Sequence, residues 1–215
     1  MQAWHDLLTT WFHWMEQTGY SGVFILMALE STIVPIPSEI IIPPAAFWAA
    51  QGKLNFWGVV AAGGAGSYFG SIISYYVAKA LGAPLVKKYG KYVLLPEDKI
   101  VMAEEWIKKH GVVGVFFARL LPVIRHLISI PAGLFKMNVL HFSLVTTVGA
   151  TFWCYILGLW GKQVIGSHPE LLDSPEALIA AMKSESKHVV LGVLLLAVLY
   201  GLVIFFKKKN QVKTA

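Results

Sequence analysis

Charge is scarce in this chain: of its 215 residues only 14% are Asp, Glu, Lys or Arg, against 56% hydrophobic. A soluble domain carries about 25% charged residues. There is more apolar surface here than a globule of this length buries, so lipid is the expected solvent. Cysteine is nearly absent, and Cys154 alone excludes an intrachain disulfide framework. Arginine is confined to Arg119 and Arg125, and no Lys or Arg precedes Lys53. The start of the chain therefore lacks the basic stretch of a signal peptide, and no cleavage is expected. Also missing are a P-loop, a Gly-x-Ser-x-Gly, a Cys-x-x-Cys and a His-Glu-x-x-His pattern, so neither ATP-driven chemistry nor a cofactor is expected. The seven histidines fit no metal-ligand spacing. No basic face interleaved with aromatics offers itself to nucleic acid.

What the chain does have is a series of apolar stretches of unequal character. Trp4, Leu7, Leu8, Trp11, Phe12 and Met15 fall on one helical face, so residues 1–18 predict an interfacial amphipathic helix. Residues 22–51 are apolar but contain Glu30, Pro35, Pro37, Glu39, Pro43 and Pro44. That is long for one crossing and short for two, since one needs about 20 residues. Proline also removes helix hydrogen bonds, and broken backbone survives at membrane depth only when buried in protein or facing water. A re-entrant helical hairpin with its tip near 35–38 is expected. Residues 55–80 predict a plain spanning helix whose Ala62, Gly66, Gly70, Ser74 and Ala78 form a small-residue ridge for helix packing. Residues 83–110 predict a basic cytoplasmic loop with an amphipathic helix opening at Pro96-Glu97-Asp98. Residues 111–135 carry Arg119, Pro122, Arg125 and Pro131 and predict a second hairpin. Spanning helices are expected at 141–162 and 188–206, around an acidic outer loop at 163–187.

Orientation follows from the lysines. If 111–135 crossed fully, with Lys87–Lys109 inside, then Lys207, Lys208 and Lys209 would end outside, against the positive-inside tendency. If that segment instead enters and leaves from the cytoplasm, the tail lies inside, and the first hairpin enters from the opposite face. Spacings echo between the halves: Gly22 to Glu30 matches Gly111 to Arg119, and Phe56 to Gly63 matches Phe142 to Gly149. The expected fold is an all-α integral membrane protein with two opposed re-entrant hairpins in an inverted-topology repeat, an arrangement that places a substrate site where the repeats meet.

Both arginines and two glutamates thus fall inside apolar segments. A charge at the bilayer centre costs about 2.5–3.5 kcal/mol on an insertion scale, so four must partner one another or meet water. Fixed ion pairs joining the hairpins are one reading, though desolvation opposes the Coulomb gain of such pairs. The other reading is functional. Arginine presents a planar donor fork suited to phosphate, and ends of broken helices add N–H donors. Desolvation favours a neutral carboxylic acid and a neighbouring guanidinium favours the carboxylate, so a glutamate can exchange its arginine partner for a proton while the arginine takes a phosphate. His126 beside Arg125 is read as an incidental packed histidine.

At this point the residues resemble a known family. Glu30-Ser31 followed by Pro35-Ile36-Pro37-Ser38-Glu39, the run Gly63-Gly64-Ala65-Gly66 through Tyr68 and Gly70, and Phe117-Ala118-Arg119, Pro122, Arg125, Pro131-Ala132-Gly133, Met137, Phe142 and Gly149 are similar to the signatures of the DedA family, also called VTT-domain proteins. The resemblance covers about residues 20–165. It implies a bacterial inner-membrane, multi-pass protein with a cytoplasmic C-terminus, active in envelope homeostasis. Some members move phospholipids or undecaprenyl phosphate at the expense of the proton motive force. The family's essential charged positions carry over to Glu30, Glu39, Arg119 and Arg125. Arg119, Arg125 and Ser38 are accordingly the candidate headgroup-binding residues, and Glu30 and Glu39 the proton-coupling ones. Pro35, Pro37, Gly66, Gly70, Pro122, Pro131 and Gly133 are expected to shape the backbone. The expected function is a flippase or scramblase for phosphate-bearing lipids and not an enzyme. A proton-coupled exporter of cations or drugs and a lipid-phosphate enzyme are the rivals. The partners expected are an anionic headgroup, protons and the membrane, with self-association left open.

Overall fold

A computed structural model describes residues 2–32, 37–89, 97–121 and 124–168. Pro35, Pro122, the side chain of His126, the lysine tail, the expected span at 188–206 and most of the loop before it lie outside the described residues. All regular structure among the described residues is helical. It runs as α1 (Gln2–Thr18), α2 (Tyr20–Glu30), a 3-10 turn (Ser38–Ile40), α3 (Ile42–Ala50), α4 (Phe56–Tyr89), α5 (Glu97–Arg119), α6 (Ile124–Leu127), α7 (Ser129–Leu134) and α8 (Val139–Ser167).

Two helices are long and apolar enough to cross a membrane, Phe56–Gly82 within α4 and Val139–Ser167. Their exposed sides support that reading. Leu140, Leu144, Val148 and Phe152 form an exposed row along α8, and Phe69, Ile73, Tyr76 and Val77 are exposed on α4. The buried sides of the same helices carry hydroxyls, namely Ser67, Ser71, Ser74 and Thr146. Large apolar side chains outside, with hydroxyls among the buried residues, suit a lipid solvent.

Several local devices occur twice. Gly19, between amphipathic α1 and apolar α2, has φ 58° and ψ −123°, and Gly111 breaks α5 with φ 54° and ψ −135°. Those angles are open to glycine and costly for other residues. α3 ends with the Lys53 N–H donating to the Trp48 carbonyl and the Gly52 N–H to Ala49, while α7 ends with Met137 donating to Ala132 and Lys136 to Gly133. Both are Schellman endings, which satisfy the last helical carbonyls. The next helix then starts on an asparagine cap. Asn55 Oδ1 accepts from the N–H groups of Trp57 and Gly58 at 2.9 and 3.2 Å, and Asn138 Oδ1 accepts from Leu140 and His141 at 2.9 and 3.2 Å. These devices recur at Gly19 and Gly111 and at Asn55 and Asn138, whereas the spacing echoes read from sequence involve Gly22 with Gly111 and Phe56 with Phe142.

The prolines fall where a helix can accept them. Pro37 precedes the 3-10 turn, Pro43 and Pro44 open α3, and Pro131 stands in the first turn of α7, where the N–H that proline lacks has no helical partner anyway. Packing then crosses between the halves: α2 lies on α4 and α5 on α8, whereas α3 lies on α8 and α7 on α4. The small-residue ridge of α4 makes the first contact close. A side chain at Gly66 would strike the Phe24 carbonyl, and one at Gly70 the Ala28 carbonyl. Gly133 of α7 meets the Tyr75 carbonyl of α4 in the same manner.

Candidate functional site

The charged site forms where the end of α2, the 3-10 turn, α5, α6 and α7 meet the inner faces of α4 and α8. Glu30 closes α2, at the negative end of that helix dipole, a place unfavourable to a carboxylate. Arg125, the second residue of α6, offsets this. Its Nη2 donates to Glu30 Oε1, in a buried ion pair between residues 95 apart in sequence. The Ser38 N–H also donates to Oε1, at 3.0 Å. Ser31 donates its hydroxyl to Oε2 at 3.2 Å. With that hydrogen committed, Ser67 of α4 must be the donor in its 2.8 Å contact with Ser31. Ser74 adds a bond to the Ser31 carbonyl at 3.2 Å. The carboxylate is thus anchored to α4 through hydroxyls and to α6 through a guanidinium.

Trp153 of α8 links these groups. Its ring lies under the Arg125 guanidinium, 5.4 Å from centroid to Cζ, a cation–π contact. Its Nε1–H donates to Ser38 Oγ at 3.2 Å, and Ser38 in turn donates to Glu39 Oε2 at 3.3 Å. Ser38 is fully buried, while Glu39 is only partly so.

Arg119 is placed differently. It ends α5, where the helix dipole favours a cation, and it is 3% exposed. Nη1 donates to Ser71 of α4 at 2.9 Å and Nη2 to Ser129 of α7 at 2.7 Å. The guanidinium stands over the Phe142 ring at 5.5 Å, and Phe142 stacks in turn on Tyr75 with centroids 4.8 Å apart. Among the described residues no carboxylate pairs with Arg119, and its Nε has no acceptor. A buried cation held only by neutral hydroxyls and a ring face carries a desolvation cost that no opposite charge among the described residues offsets.

Of the four charges singled out in sequence, the structure therefore joins Glu30 with Arg125, leaves Arg119 among hydroxyls, and sets Glu39 at the edge beside Ser38. Two opposite-charge pairs do not form among the described residues. Ser67, Ser71, Ser129 and Trp153 were not anticipated. The signal for the first two was the i, i+4 recurrence of Ser67 and Ser71, extended by Ser74, on a helix otherwise apolar enough to span.

A model of the VTT domain matches residues 36–163. Undecaprenyl phosphate transporter A of Bacillus subtilis is 35% identical to this chain, over 74% of it and 78% of that protein. The protein of the same name in Staphylococcus aureus is 30% identical over 93% and 96% of the two chains. An alkaline phosphatase-like protein of Lactococcus lactis is 34% identical over 91% and 90%. No solved structure matches.

Proposed function

Because this chain belongs to the VTT-domain family, also called the DedA family, we propose that it moves phosphate-bearing lipids across a bacterial inner membrane by proton exchange. The observation that carries this reading is Arg119: a buried guanidinium, without a carboxylate among the described residues, in a chain whose other arginine is already paired with Glu30. Relatives named as undecaprenyl phosphate transporters support the same class of cargo. Such a site attracts phosphate and repels cations, which disfavours export of cationic drugs.

In this mechanism Arg119 receives the headgroup phosphate. Protonation of Glu30 removes the charge that holds Arg125, and the freed guanidinium turns to the same phosphate. Loss of the proton restores the Glu30–Arg125 pair and expels the anion. Glu39, at the partly exposed edge, passes the proton between solvent and Glu30. The doubled glycine breaks, Schellman endings and asparagine caps, with the crossed packing of α3 and α7, support two re-entrant hairpins related as an inverted-topology repeat, with the site at their junction. The C-terminus lies in the cytoplasm on the lysine count.

Purified protein in liposomes containing a labelled polyprenyl phosphate tests the reading. Headgroup movement without release of inorganic phosphate is expected. Release of phosphate establishes instead the hydrolytic reading that the name of the Lactococcus relative suggests. Unchanged transport and unchanged pH dependence in both Glu30→Gln and Glu39→Gln eliminate proton exchange.

A further inference from the structure

We infer that Thr146, with Ser71 and Ser129, completes an anion-binding site around Arg119, so that hydroxyls from three helices hold the phosphate together with the guanidinium. The inference rests on the lipid-phosphate reading and adds to it the neutral residues that recognise the headgroup.

Thr146 lies about two turns into α8 and is fully buried, yet its Oγ1 has no hydrogen-bond partner among the described residues. A helical threonine ordinarily returns its hydroxyl to a carbonyl one turn back, and this one does not. Its place on the helix is informative. Phe142, one turn earlier, carries the Arg119 guanidinium on its ring. Gly149, three residues later, faces Arg119: a Cβ there would stand 3.2 Å from the Arg119 Cβ. Residues three and four apart share a helix face, so Thr146 lies on the strip of α8 that lines Arg119.

Counting hydrogens identifies the missing partner. Ser71 and Ser129 each accept from Arg119, which leaves their own O–H hydrogens to be donated. No described group accepts them. Thr146 O–H and Arg119 Nε–H are likewise unspent. Four unspent donors beside a net positive charge fit a ligand made of anionic oxygens, which accepts all four. A phosphate group has only acceptors to offer and neutralises the cation, whereas water brings two further hydrogens and no charge. Either a lipid headgroup or free phosphate supplies this chemistry.

The test uses the full chain in detergent and reads thermal stabilisation against concentration of farnesyl phosphate, farnesol and inorganic phosphate. Wild type is expected to be stabilised by farnesyl phosphate and not by farnesol. Thr146→Val is expected to need about tenfold more farnesyl phosphate, the loss of one hydrogen bond to a charged group, and Thr146→Ser to behave as wild type. Without ligand, Thr146→Val is expected to melt at or above the wild-type temperature, because an orphaned hydroxyl has been removed. Ser71→Ala, read the same way, carries the test if the valine variant does not fold. Equal protection by inorganic phosphate, still weakened in Thr146→Val, supports the site and assigns it to the free anion. Equal half-saturation in wild type and Thr146→Val overturns the inference and leaves the lipid-phosphate reading standing. No response of wild type to either phosphate overturns both.

Discussion

Arg125 and Glu30 meet in the protein interior from segments 95 residues apart, and the Glu30 carboxylate is completed by a backbone N–H from Ser38 and a hydroxyl from Ser31. The pair joins the first broken segment to the second. Removing one partner of a buried pair leaves an uncompensated charge and costs about 3–5 kcal/mol, whereas removing both is far milder. Glu30→Gln and Arg125→Met are therefore each expected to lower the melting temperature markedly, and the double variant to recover most of the loss. Additive losses in the double-mutant cycle would show that the two side chains do not stabilise each other.

Arg119 predicts the opposite relation between stability and activity. Its charge is buried without a carboxylate among the described residues, so Arg119→Met removes a desolvation cost while filling similar volume. The variant is expected to melt at or above the wild-type temperature and to lose transport at least tenfold. Arg119→Lys keeps a charge but not the two-pronged contact with Ser71 and Ser129, and is expected to transport poorly. A steep drop in melting temperature for Arg119→Met would make Arg119 a structural residue.

Helix approach gives a matched pair of glycine substitutions. A Cβ at Gly70 collides with the Ala28 carbonyl and crowds Ser31, whereas Gly166 has nothing within 4 Å. Gly70→Ala is expected to destabilise by about 1–3 kcal/mol through overpacking, and Gly166→Ala to stabilise by about 0.5–1 kcal/mol through helix propensity. Thermal melts of both variants decide this, and equal effects would refute the close contact of α4 with α2.

The twinned caps make a further prediction. Asn55→Ala and Asn138→Ala each remove an acceptor for two N–H groups at the start of a long helix. Each is expected to cost about 1 kcal/mol, measured as equal and additive shifts in melting temperature. A loss confined to one of them would mean that the two helix starts are not equivalent.

Much of this was legible in the chain because it is local. Proline marked 22–51 and 111–135 as broken segments, and Pro43, Pro44 and Pro131 stand in the first turns of α3 and α7. The glycine spacing in sequence singled out Gly22 with Gly111, whereas the positive φ angles fall at Gly19 and Gly111 and become visible only in the backbone. The serine partners of Arg119 were overlooked for a similar reason: a hydroxyl on an apolar helix has no preferred facing until a neighbour packs against it.

Composition by itself determined the solvent, because so little charge and so much apolar surface cannot be reconciled with water. It also determined that the charges of Glu30, Glu39, Arg119 and Arg125 had to find a partner or water. Which acid met which base was decided by tertiary structure alone. Two acids and two bases allow several pairings, and pairing depends on how the end of α2 and the helices α5, α6 and α7 pack. That arrangement pairs Arg125 with Glu30 and surrounds Arg119 with hydroxyls, so one guanidinium meets a carboxylate and the other meets none among the described residues.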